Sequence, residues 1–253
     1  MKNYKNEYST AIENAQYDKL TDILVENLIE NFDYKAFSDL GAYLCDAEDA
    51  GITVKLNKNE CEKLGKKLLF TSYNNHPDVN NAIALQFACL GQNADFQTVS
   101  NMTETALTPK NGTVINNIAF AKFKLGMVFD AFKLQKKAVE LGGNDIFSYN
   151  LMLYDLFLNG DVKSKYNLKH FLNMLISDEM FDYESAMVLA VFFDDYSFVE
   201  SNLTFFQKNF ACDKSIKNII DSYLSDKTKP SIEQLSKILI PKTCYENCIY
   251  LNE

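Results

Sequence analysis

The stretch NNIAFAKFKLGMVFDAFKLQKKAVELGGND, residues 116–145, decides how this chain is read. Its apolar residues recur at three- and four-residue steps, the period of an amphipathic helix. The recurrence breaks at Leu125 and Gly126 and resumes at Val128, so the stretch is two helices joined by a tight turn. Gly142 and Gly143 close it. A tight helix end needs a left-handed residue, and glycine adopts that conformation without a steric penalty.

Working outward, the same turn recurs. "CLG" ends at Gly91, "KLG" at Gly126 and "LNG" at Gly160, at spacings of 35 and 34 residues. Asp194, in "FDDYSF", lies another 34 residues on, again between two helical runs. A fixed period of this size marks an array of helical hairpins. Periodicity predicts helices over 3–14, 19–31, 34–50, 58–73, 78–90, 95–106, 112–125, 128–141, 145–158, 162–176, 183–193, 197–210, 214–225 and 232–239. Asp18 and Asp33 fit N-caps, and Gly51 fits a C-terminal stop. No run reads better as a strand. With 9 Gly and 4 Pro the chain is also short of the turns that an all-β fold needs.

Residues 115–143 resemble a tetratricopeptide repeat. Ile115, Ile118 and Ala119 fill the first helix, Gly126 the turn, and Ala131 and Ala138 the small positions of the second helix. Lys122 stands where the pattern has an aromatic, with Phe123 one place late, and Gly143 replaces the terminal Pro. Neighbouring copies are weaker. Ile83, Ala84 and Phe87 fit a first helix, but Phe96 and Lys165 fall where small residues belong. The resemblance implies an all-α fold, a right-handed superhelix of antiparallel helical hairpins. The whole of 1–253 then forms one solenoid, with off-register helices in 1–75, repeats in 76–210 and capping helices in 211–253. Pro230 opens the last helix, and the tail "IPKTCYENCIYLNE" is expected to fold back over the final hairpin, because an array's open end must be covered.

In such an array the first helices line a concave face. Asn81, Asn116 and Asn150 each stand ten residues before a turn glycine and so share one register. An asparagine side chain both donates and accepts, so it pairs with the N–H and the C=O of an extended backbone. Peptide-holding members of the tetratricopeptide family grip their ligands this way, which the resemblance carries over to these three residues. One and two turns further on come Leu85, Phe120 and Tyr154, then Ala88, Phe123 and Phe157, with Lys124 beside them. Aromatics suit interface centres. They suit a core equally, and asparagine is abundant throughout the chain, so both readings of these rows stay open.

Composition limits the partners. The formal charge is −9 and every one of the 25 basic residues is Lys, so the forked contacts that Arg makes to phosphate are missing. Nucleic acid is therefore not an expected partner. The most apolar run, "SAMVLAVFF", is far shorter than a membrane span of about 20 residues. The N-terminus lacks the apolar stretch of a signal peptide. Scattered cysteines (Cys45, Cys61, Cys89, Cys212, Cys244, Cys248) fit small buried residues in a reducing compartment, so a cytoplasmic location is expected.

Catalytic and metal sites are not expected. His76 and His170 lack carboxylates or thiols at metal-ligand spacing, Cys244 and Cys248 make half a site, and no Gly-rich loop follows a strand. "SDEMFDYE" reads as helix-start acid serving caps and dipoles. No cofactor is expected. The sequence points to a non-enzymatic peptide- or partner-binding module, an adaptor or scaffold. The alternative is a structural subunit packing by its outer helices, or with a second copy of itself.

Overall fold

The computed structural model describes residues 4–14, 16, 19–31, 34–46, 57–91, 94–103, 110–142, 144–160, 162, 165–177, 180–210 and 214–243. Among them are fourteen helices and no strand. They are α1 (Tyr4–Glu13), α2 (Leu20–Asn31), α3 (Tyr34–Asp46), α4 (Lys58–Asn75), α5 (Val79–Leu90), α6 (Phe96–Ser100), α7 (Gly112–Lys124), α8 (Val128–Glu140), α9 (Asp145–Asn159), α10 (Leu168–Leu175), α11 (Tyr183–Phe193), α12 (Tyr196–Asn209), α13 (Lys214–Asp226) and α14 (Ile232–Ile238). The chain divides into two compact units, with the boundary after Gly126.

Unit 1 carries α1–α7. Consecutive helices pack from α1 to α7, and α5 also reaches α3 and α7. Its tightest contact is a pair of glycines. A Cβ on Gly65 of α4 would stand 2.6 Å from the Gly41 carbonyl oxygen and 2.6 Å from Cys45 Sγ. A Cβ on Gly41 of α3 would stand 2.9 Å from the Gly65 carbonyl oxygen. The two helices therefore touch backbone to backbone. Ser72 reinforces the crossing by donating to the Tyr34 carbonyl at 2.6 Å. Between α5 and α7 a buried amide chain does the same work: Asn117 Nδ2 donates to Gln86 Oε1 at 3.1 Å, and Gln86 Nε2 to the Val114 carbonyl at 3.0 Å. Cys61 and Cys89 are buried. Burial, aided by Asp95, pushes the Cys89 thiol up to about 12.

Unit 2 carries α8–α14. Its centre is α11, apolar on all sides, with 186–191 fully buried; a helix of that kind belongs inside a core. It packs against α10, α12 and α13, and α8 packs against α9. Ala131 and Ala138 have no exposed surface, which lets α8 lie close to α9, and Gln135 Nε2 donates to the Phe147 carbonyl at 3.0 Å. In an open array each element meets only its neighbours. Here α14 returns to α9, and one apolar cluster runs from Tyr149 to Leu239.

Helix ends follow the polar residues. Asn144, Asn167, Asp182 and Asp195 cap α9, α10, α11 and α12 through their side chains. Gly126, Gly160 and Asp194, spaced by 34 residues, all have a positive φ, of 79°, 81° and 64°. Gly91 does not; its φ is −71°. Asp18, Asp33, Gly51, Gly143, Cys212, Cys244 and Cys248 lie outside the described residues.

Two glycines separate the steric from the conformational argument. Gly65→Ala forces atoms apart in the α3–α4 crossing and should cost about 1–3 kcal/mol. Gly91→Ala meets only the Phe87 carbonyl at 3.9 Å and should stay within about 0.5 kcal/mol of wild type. Urea melts of the two variants check this; equal midpoints would contradict the close crossing.

Candidate functional site

Unit 2 ends in a segment that comes back across α9. Ser231 caps α14, accepting from Gln234 N at 3.2 Å while its own N–H donates to Gln234 Oε1 at 2.8 Å. The helix stops at Ile238, and Leu239 is extended, with φ −81° and ψ 107°. Pro241 enforces the stop, because a proline disfavours helical backbone in the residue before it and offers no N–H of its own. Burial then alternates: Leu239 is inside, Ile240 is 41% exposed and Pro241 is inside. That period of two belongs to an extended segment.

Asn150 holds this segment by its backbone. Asn150 Nδ2 donates to the Lys242 carbonyl at 2.7 Å, and the Lys242 N–H donates to Asn150 Oδ1 at 2.7 Å. One side-chain amide thus satisfies both polar groups of one residue, as a neighbouring strand would. Asn150 itself has no exposed surface. The Lys242 ammonium meets Asp182 Oδ2. Asp182 Oδ1 accepts from Ser185 N at 3.1 Å, and the Asp182 N–H donates to the Leu175 carbonyl at 2.7 Å, so the residue has anchors besides the lysine. Phe181 precedes it with a φ of 46°. A non-glycine residue in that region stores about 1–3 kcal/mol of strain.

The rest of α9 is anchored by a buried carboxylate. Asp155 accepts from Asn159 Nδ2 at 2.5 Å, Lys165 Nζ at 3.2 Å and the Tyr166 hydroxyl at 3.1 Å. Burial alone would raise its pKa. The bonds from Asn159, Lys165 and Tyr166 outweigh that and hold it below the ordinary 3.8. α10 starts at Leu168, where the sequence suggested a start at 162. Lys165 and Tyr166 are spent on Asp155, and Asn167 is the cap. Next to Asn150, burial and then the negative Asp182 push the Tyr149 hydroxyl's pKa up, so it stays neutral.

The residues expected from the register divide between the units. In unit 1, Asn81 closes its own helix entry, donating to the His76 carbonyl at 2.8 Å and to Asp78 Oδ2 at 3.4 Å. Asn116 is fully buried and donates to Asn117 Oδ1 at 3.4 Å. Leu85 is core. Phe120 meets Phe96 edge-on at 6.0 Å, with Lys124 5.4 Å from the ring. Burial lowers the Lys124 pKa. Phe123 is half-buried. In unit 2, Tyr154 has no surface left for a ligand, and Phe157 packs against the core. Asp182 and Lys242 escaped the sequence reading. Asp182 reads as a cap, and it is one; its second oxygen has a partner 60 residues away that no local pattern announces.

His170 Nε2 lies 3.0 Å from Asp145 Oδ1, and His76 Nε2 lies 3.5 Å from Asp78 Oδ2. Among the described residues no three His, Cys, Asp or Glu side chains gather as metal ligands, and no helix is long and apolar enough to cross a membrane. No family model, curated protein or solved structure matches the chain.

Asp155 gives the site a pH signature. A carboxylate whose folded pKa lies below its unfolded value adds stability above the unfolded value and loses it as pH falls through the folded one. The melting temperature difference between wild type and Asp155→Asn should therefore be constant near neutrality and shrink below about pH 4. Calorimetry from pH 7 to 2.5 checks it; a difference that does not narrow in acid would contradict a charged, bonded Asp155.

Proposed function

We propose that the chain is a non-enzymatic module that holds an extended peptide or partner-protein segment, with the Asn150 amide as its backbone reader. The observation that carries this is the two-way bond between Asn150 and the Lys242 backbone. Backbone pairing with side chains alternately buried is how extended peptides are bound in general. A reader placed on a packed helix is also rigid, so it loses little entropy on binding. Asp182 adds a fixed acidic group that selects a cation. We read the hairpins as tetratricopeptide-like. The positive-φ turn residues at 34-residue intervals and the buried Ala131 and Ala138 favour that reading. The return of α14 to α9 departs from it.

A second reading, a subunit that assembles through its outer helices, draws on one feature of unit 2. Phe205 of α12 is 42% exposed and Phe181 is 52% exposed, and they join Tyr183 and Phe210 in a cluster with ring centroids 4.7–6.3 Å apart. Exposed aromatic groups of this size mark docking surfaces.

Panning a random-peptide display library on the full chain tests the first reading. Enriched peptides should bind Asn150→Ala about tenfold or more weakly, the worth of one or two lost backbone bonds, with helix content unchanged by circular dichroism. Peptides that bind the variant equally well, or no enrichment, would count against it.

A further inference from the structure

We infer that the 239–242 segment is a resident ligand, and that the site beneath it takes a partner segment of the same chemistry: an apolar residue, any residue, proline, then lysine. The inference rests on the peptide-binding reading and says what the peptide is. Each position of the resident segment has a distinct counterpart. Leu239 enters the core. Ile240 is 41% exposed, so that position is read less closely than its neighbours. Pro241 is buried and keeps the residue before it extended. Lys242 gives its backbone to Asn150 and its ammonium to Asp182. The receptor half of these contacts, Asn150 and Asp182, sits on α9 and at the start of α11, and both are set by bonds or packing of their own. A partner segment with a cation in that place also suits a chain of net charge −9.

The segment's tether sets the regulation. A short tether gives its own end an effective concentration on the order of millimolar. An external peptide making equal contacts therefore binds weakly until the resident segment is loosened. Its apparent affinity falls by the fraction of chains with the site open. The resident segment is then a built-in competitor that a partner with one further contact displaces.

The test uses a labelled synthetic peptide of residues 237–243, Lys-Ile-Leu-Ile-Pro-Lys-Thr, and the full chain. Lys242→Glu puts a carboxylate opposite Asp182 and loosens the resident segment without touching the receptor residues. The peptide should bind Lys242→Glu at least about tenfold more tightly than wild type, and adding Asn150→Ala should abolish the gain. A peptide with Glu in place of its second lysine should not bind. If Lys242→Glu does not melt cooperatively, Lys242→Ala replaces it, with a gain of at least about threefold. Equal affinity of the peptide for wild type and variant, or a gain that survives Asn150→Ala, would overturn the inference. So would a dimer of the variant by light scattering, since the occupant would then be a second copy. Library peptides that bind through Asn150 while the 237–243 peptide does not would sink this inference and leave the peptide-binding reading standing. No Asn150-dependent peptide of either kind would sink both.

Discussion

A single asparagine side chain on α9 meets the two backbone groups of Lys242, and the placement of the last segment of unit 2 depends on that contact. A buried amide must have both its donor and its acceptor satisfied, or its burial costs more than it returns. Asn150 finds both in one extended residue, 92 positions along the chain. For the segment to arrive there, α14 must end at Ile238, Pro241 must keep the backbone extended, and α14 must lie near α9. Asp182 then completes the grip at the head of α11, the most deeply buried helix of the unit. The contact thus adds directional bonds between the 239–242 segment, α9 and the start of α11 to the apolar core that these elements share.

Unit 1 is held by a different constraint. There the decisive feature is the absence of side chains at Gly41 and Gly65, which lets α3 and α4 approach to backbone contact. Close approach multiplies dispersion contacts along the two helices, and Ser72 and the Gln86–Asn117 amides supply directional bonds around them. Among the described contacts, those of the asparagines at the Asn150 register are local: Asn81 and Asn116 are spent on a helix entry and on a buried neighbour.

Helices were legible from the sequence because their signal is local. The three- and four-residue apolar period placed α5, α7, α8, α9 and α11 within a residue or so of their ends, and the 34-residue turn spacing found the positive φ at Gly126, Gly160 and Asp194. The departures have physical causes. Lys165 and Tyr166 fall in a run with helical periodicity, but they bond Asp155 and precede α10. Gly91 ends its helix in extended backbone of its own and needs no positive φ. The candidate site was legible in part, since the register singled out Asn150 as a residue able to hold a backbone. What it holds was not legible. The partner is chosen by the return of α14, and Asp182 and Lys242 are matched by three-dimensional proximity across 60 residues. Apolar periodicity cannot tell a pocket wall from a core either, so Leu85 and Tyr154, expected beside a groove, turn out to be fully enclosed.

The pairing of Asn150 with Lys242 is open to one direct measurement, residue-resolved amide hydrogen exchange on the intact chain. The Lys242 N–H, three residues past the buried Leu239 and outside any helix, has Asn150 Oδ1 as its acceptor. The account predicts that this amide exchanges at least about tenfold more slowly than the same amide in an unstructured peptide, and that Asn150→Ala removes the protection while the amides of α9 keep theirs. Exchange of the Lys242 amide at the unstructured rate in the wild-type chain would contradict it.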